Sequence, residues 1–171
     1  GIGAVVVSNL LLPPARNSNN KSVIYLEGVI TQKKQAIAQL VSNIWFPGSK
    51  YNLISNWTVR RFPQKDFGIG AVNSILKYDE ISYSNLILHQ TVSRKIGKES
   101  YLGIGFNFDY HWKITDTTSI NKPVYGFKEY GLSKTSTSSG IVFSYIYDSR
   151  RQIVNPVAGS SYFNISMQNN L

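Results

Sequence analysis

Two histidines, His89 and His111, are the side chains of this sequence best suited to proton transfer or metal ligation. A hydrolase built on either would need a serine and an orienting Asp or Asn converging on one imidazole. Serines are common throughout the chain, so a serine close in sequence carries little information. A metal centre needs three or four ligands at motif spacing, and two histidines 22 residues apart among scattered aspartates do not provide one. The absence of cysteine excludes a thiolate nucleophile, a thiolate metal site and a disulfide framework. Gly1 and Gly3, Gly68 and Gly70, and Gly103 and Gly105 form Gly-x-Gly units, but none opens a βαβ unit with a third glycine. On a strand, such glycines allow bending or the close approach of neighbouring groups. No catalytic residue, cofactor or metal is therefore assigned. His111 is expected on the polar side of a strand with Asp109 and Lys113, and His89 on one side with Asn85 and Thr91.

A different pairing stands at Tyr147-Asp-Ser-Arg150. Asp148 and Arg150 are two apart, so an extended backbone directs both to one side, where they can pair. Asn155, Pro156 and Gly159 follow. Pro156 fixes φ and stops a ladder, and Gly159 permits positive φ, so the segment reads as a turn anchored by an ion pair. If screened and exposed, that pair is worth at most about 1 kcal/mol. The net charge is +9, with 18 basic and 9 acidic residues. The basic surplus is dispersed over Lys33, Lys34, Arg60, Arg61, Arg94, Lys95, Lys98, Arg150 and Arg151. A single-stranded nucleic-acid groove would interleave such charges with stacking aromatics. Here the strongest aromatic set lies on the apolar side of its strand, away from the charges. Nucleic acid is therefore not the expected partner. Solvated turns in contact with anionic lipid head groups are.

The elements that position these residues are extended. From Tyr101 to Ile114 the even positions are Leu102, Ile104, Phe106, Phe108, Tyr110, Trp112 and Ile114. The odd positions are Tyr101, Gly103, Gly105, Asn107, Asp109, His111 and Lys113. Strict alternation over fourteen residues predicts a long strand with one apolar and one polar face. Strands of soluble proteins usually run about five to six residues, and a membrane-crossing strand needs roughly nine to eleven. The even set is thus expected to face lipid, and Asn107, Asp109, His111 and Lys113 a polar lumen. Seven further segments fit the same template: Ile2 to Leu12, Ser22 to Thr31, Gln35 to Phe46, Tyr51 to Arg61, Ile81 to Val92, Ser139 to Asp148 and Ser161 to Gln168. Only 16% of residues are charged and 13% are aromatic, which suits a barrel whose strands present one face to lipid. No helical period is evident, apart from a possible short turn of helix within 68–78. No stretch is long and apolar enough for a transmembrane helix.

Connection lengths orient the strands. The links Phe62 to Glu80 and Thr115 to Ser138 are long, whereas Pro47-Gly-Ser49, Arg94 to Glu99 and Arg150 to Gly159 are shorter. Transmembrane barrels have short periplasmic turns and longer outer loops, so the long links belong outside. Trp45, Phe46, Tyr51 and Tyr101 then gather near the inner turns, and Tyr110 and Trp112 near the outer rim, as two aromatic girdles. The first strand then runs inward and the last ends outside. The expectation is a partial barrel of about eight meander strands, with no soluble domain in residues 1–171.

The run Tyr147-Asp-Ser-Arg-Arg-Gln-Ile-Val-Asn-Pro-Val-Ala-Gly159, followed by Ser-Ser-Tyr-Phe-Asn-Ile-Ser, resembles the bacterial surface antigen family. These are the Omp85-type outer-membrane barrels that include the BamA-like and TamA-like assembly factors. Asp148, Arg150, Asn155, Pro156 and Gly159 fill the places of that family's turn motif. Gly1-Ile-Gly3, Ile30-Thr-Gln-Lys-Lys-Gln35, Arg61-Phe-Pro63 with Phe67-Gly-Ile-Gly70, and Tyr101-Leu-Gly-Ile-Gly105 are similar to its Bacteroidetes-type branch, in the same order. Two features depart from the pattern. Arg151 stands where a second acidic residue is usual, and the lumenal Arg-Gly motif and the POTRA domains of the assembly factors are absent from these residues.

The resemblance implies a non-enzymatic barrel in the bacterial outer membrane that helps insert, assemble or translocate other outer-membrane proteins. Its implied partners are outer-membrane lipid or lipopolysaccharide, other outer-membrane proteins and periplasmic assembly subunits, and it implies no cofactor. Two other classes of function remain open: a passive pore or structural barrel subunit, and a soluble β-sandwich binding module.

Overall fold

In the computed structural model the chain forms one antiparallel sheet. The structure describes residues 2–18, 20–66, 79–116, 133–150 and 158–171. Nine strands run in order: β1 (Gly3–Leu12), β2 (Ser22–Thr31), β3 (Ala36–Trp45), β4 (Tyr51–Arg61), β5 (Gln64–Asp66), β6 (Asp79–Lys95), β7 (Ser100–Asp116), β8 (Thr135–Asp148) and β9 (Tyr162–Asn170). Spatial order follows chain order, β1-β2-β3-β4-β6-β7-β8-β9, with β5 paired to the start of β6. Among the described residues there is no α-helix, and a single 3₁₀ turn, Pro47–Ser49, joins β3 to β4. All eight segments read from alternation are strands, and β2 and β4 match residue for residue. The ninth, β5, continues the line of β4. Pro63 has no N–H to donate, so the ladder breaks after Phe62 bonds Tyr83 and resumes at Gln64. The possible helical turn within 68–78 lies outside the described residues.

The sheet has an inverted polarity. On β7 the even residues Leu102, Ile104 and Phe106 are 52%, 58% and 46% exposed. On the other face Asn52, Asn85 and Ser93 are 1%, 0% and 0% exposed. Cross-strand register extends both faces across the sheet. Tyr101, Gly103, Gly105, Asn107 and Asp109 on β7 pair with Ile146, Ser144, Val142, Gly140 and Ser138 on β8. On the opposite face Leu102, Ile104 and Phe106 pair with Tyr145, Phe143 and Ile141.

The polar face is concave. Trp45 on β3 and Tyr101 on β7 are three strand spacings apart, about 14 Å on a flat sheet. Their ring centroids lie only 5.4 Å apart, edge to face, so the sheet curls toward this side. Asn107 Nδ2 likewise reaches Gln168 Oε1 at 2.7 Å from β7 to β9, over the side-chain-free Gly140 of β8. The curl leaves the sheet open. β1 and β9 are edges that do not pair with each other, and both are exposed along their length. Among the described residues the expected barrel is therefore a curved sheet rather than a closed cylinder.

Two expectations change. The alternation of β7 does not persist through Ile114. Lys113 has φ 54°, and the register shifts between Ser82 and Ser84, so that Lys113 and Ile114 together oppose Tyr83. This β-bulge puts Thr115 on the same face as Trp112 and leaves Lys113 exposed. Trp45 and Tyr101 also do not belong to a lipid-facing girdle. They are buried on the concave face and pack with Ile146 and Ile54. Phe46 and Tyr51, at 41% and 43% exposed, do stay on the convex face beside the short turn between β3 and β4.

Candidate functional site

The antiparallel order places the end of β1 and the start of β2, the turns at 46–50 and 96–99, and the end of β8 with the start of β9 at one end of the sheet. The turn after β2, the end of β4 with β5, the start of β6 and the end of β7 lie at the other. At the first end the predicted ion pair is formed and cross-braced. Arg150 Nε donates to Asp148 Oδ1 at 2.8 Å and Nη2 to Oδ2 at 3.0 Å, a two-pronged contact. The Arg150 backbone N–H also donates to Asp148 Oδ1 at 3.1 Å. The guanidinium lies 4.1 Å from the centroid of the Tyr162 ring. Only 21% of the Arg150 and 12% of the Asp148 side chain is exposed, so the pair is more sheltered than an open surface pair. The hydrogen bonds to Asp148 hold the Arg150 guanidinium above its already high ordinary pKa, against the opposing effect of burial.

The brace extends to neighbouring strands. The Asp148 N–H donates to Glu99 O at 2.8 Å, and Tyr147 Oη donates to Glu99 Oε2 at 2.9 Å. Ser149 and Ser161 bond through both backbone and side chain, fixing where β9 departs from β8. Gly159 has φ 84°, the left-handed conformation expected of it. Asn155, Pro156 and Arg151 lie outside the described residues. Tyr162 and Glu99 were not legible from sequence, because their partners lie 12 and 48 residues away. Beside the brace, a cleft of about 540 Å³ is lined in part by Asn20, Lys98, Glu99, Tyr101 and Arg150.

Polar groups meet one another along the concave face. His89 Nε2 lies 3.1 and 3.2 Å from the two carboxylate oxygens of Asp109. Asn85 Oδ1 accepts from Arg60 Nε at 2.8 Å, and Gln39 Nε2 donates to Asn56 Oδ1 at 3.1 Å. His111 packs its ring against Tyr83, with centroids 5.6 Å apart. Asn107, Asp109 and His111 thus share this face as expected. The histidine–carboxylate pair is half of a nucleophile-activating relay. Directly beside His89, however, the register places the amide side chains of Asn56 and Asn107, neither of them a nucleophile. Among the described residues no group of three or more His, Cys, Asp or Glu is arranged to hold a metal ion.

Glycine is required on this face. The Ser93 and Ser144 hydroxyls flank Gly103 where a Cβ would otherwise sit. A Cβ on Gly105 would come within 2.6 Å of the Gln90 carbonyl oxygen. Leu102, Ile104, Phe106, Phe108, Tyr110 and Trp112 all lie on the convex face. Tyr110 stacks on both Phe108 and Trp112, with centroids 6.5 and 5.5 Å apart. Chemically, the arrangement offers a hydrogen-bonded polar trough and an apolar outer wall.

No protein-family model, no curated protein and no solved structure matches this chain.

Proposed function

We propose that this sheet is part of a transmembrane β-barrel of the bacterial outer membrane, of the surface-antigen type. Its role is in the insertion, assembly or translocation of other outer-membrane proteins. The single observation that carries the membrane reading is the inverted polarity. Asn52, Asn85 and Ser93 are sequestered while Ile104, Phe143, Ile165 and Met167 are 58%, 52%, 56% and 67% exposed. Water penalises such a surface, and contiguous exposed apolar area of this extent marks contact with lipid or protein. A bilayer favours it, because alternating strands turn their apolar side chains to lipid and their polar ones to an interior. A soluble sandwich would bury the opposite face against a second sheet. The assembly role rests on the resemblance of the Asp148–Arg150 turn and the ordered motifs to the surface antigen family. The polar trough of Asn107, Asp109 and His89 also favours a second reading, a passive pore.

One experiment separates these readings. The chain is reconstituted in lipid vesicles, and a second, unrelated barrel protein is allowed to fold into them. Faster folding than into protein-free vesicles supports the assembly role. Ion conductance without acceleration favours the pore. Failure to enter the vesicles refutes both.

A further inference from the structure

At the short-turn end, the convex face stops at two turns tied together by a hydrogen bond from the Lys95 N–H to Lys50 O, 2.8 Å long. Between them lies a cleft of about 510 Å³ lined by Lys50, Tyr51, Arg94, Lys95, Ile96 and Gly97. Arg94 and Tyr51 are register partners, so the guanidinium and the phenol rise side by side on the convex face. Among the described residues neither Lys50 nor Arg94 forms an ion pair. The carboxylates of this end are already engaged, Glu99 by Tyr147 and Asp148 by Arg150. Directly below the cleft the apolar wall begins. Val92 precedes Arg94 by one residue pair on the same face, and Leu102 is the register partner of Arg94. Val92, Leu102 and Ile96 are 44%, 52% and 55% exposed.

From this arrangement we propose that the cleft binds the phosphodiester head group of an anionic phospholipid, with Arg94 and Lys50 on the phosphate and Tyr51 beside it. The acyl chains run down the wall over Val92 and Leu102. A free phosphate ion would use only the two cations. The apolar surface continuous with them fits an amphiphile, which is why a lipid is the occupant. Guanidinium suits the two-pronged recognition of phosphate oxygens, and Lys50 adds a second, movable charge. The proposal rests on the transmembrane reading above and adds a specific site to it.

The test uses the full chain in phosphatidylcholine vesicles with and without phosphatidylglycerol. Flotation with phosphatidylcholine vesicles is measured first. The protein is then extracted in mild detergent, and its retained lipid is counted by native mass spectrometry. The wild type should retain phosphatidylglycerol over phosphatidylcholine. Each neutralised cation should lower that preference about fivefold, so the Arg94→Gln/Lys50→Gln pair should lower it about 25-fold. Lys33→Gln, at the opposite end, should leave it unchanged. Equal retention by wild type and the double variant overturns the proposal, and so does full displacement of the lipid by inorganic phosphate, which would mark a free-anion site. A chain that floats but shows no preference refutes the site alone. A chain that never floats refutes the transmembrane reading and this proposal with it.

Discussion

Replacing Phe106 by arginine distinguishes a lipid-facing wall from a water-facing one. The even residues from Leu102 to Trp112, ten residue steps end to end, lie on the convex face of β7. At a rise of about 3.3 Å per residue and a tilt of about 40°, they climb about 25 Å, the height of the apolar band of a barrel. Leu102 then sits at one border and Trp112 at the other, with Phe106 about 10 Å inside the nearer border. Arginine near the midplane of such a wall costs about 2–4 kcal/mol and near an interface about 0–1 kcal/mol. In water, the same change at a residue 46% exposed would stay within about 0.5 kcal/mol. Phe106→Arg should therefore lose about 2–4 kcal/mol and Leu102→Arg about 1 kcal/mol or less. Reversible denaturant unfolding of the vesicle-folded chain, followed by tryptophan fluorescence, measures both. Equal costs at the two positions would refute the depth argument, and a negligible cost at Phe106 would refute the lipid-facing wall.

Other expectations follow from the concave face and the rim. Gly105→Ala should destabilise by about 1–3 kcal/mol, because its Cβ meets the Gln90 carbonyl, which is backbone and yields little; unfolding midpoints with an unchanged denaturant slope check this. Arg150→Ala should cost about 1–2 kcal/mol, and a double-mutant cycle with Asp148→Ala should return a coupling of about 1 kcal/mol, more than an open surface pair gives. Trp45→Ala should cost about 3 kcal/mol or more and abolish the edge-to-face contact with Tyr101, read as a stability loss together with a changed near-ultraviolet dichroism.

Residue pattern reveals strands better than it reveals their neighbours. The β7 alternation was legible because apolar and polar residues separate cleanly from Leu102 to Trp112. The bulge was not, because Lys113 continues the polar series and nothing in its type signals a left-handed backbone. β3 alternates less cleanly than β7 for a physical reason. Its concave side carries Ile37 and Val41 as well as Gln39 and Asn43, so both faces are partly apolar. β5 was missed because three residues are too few for a period. The Asp148–Arg150 pair was legible because spacing alone puts two side chains on one side of an extended chain. Its shelter by Tyr162 was not, because that ring arrives from the next strand. Trp45 and Tyr101 were assigned to an interfacial girdle from their nearness to turns, although the alternation already set Tyr101 among the polar residues of its strand; an amphipathic ring suits a lipid interface and a polar lumen equally well.

The most direct test of the account is a nitroxide scan of β7 from Leu102 to Trp112 in lipid vesicles. Accessibility would be measured to oxygen, which concentrates in the bilayer, and to a polar nickel chelate, which does not. With Gly103 and Gly105 left unlabelled because no side chain fits there, the account predicts two period-two curves out of phase, with oxygen maxima at 102, 104, 106, 108, 110 and 112 and nickel maxima at 107, 109 and 111. Nickel access at the even positions equal to that at the odd ones would contradict it.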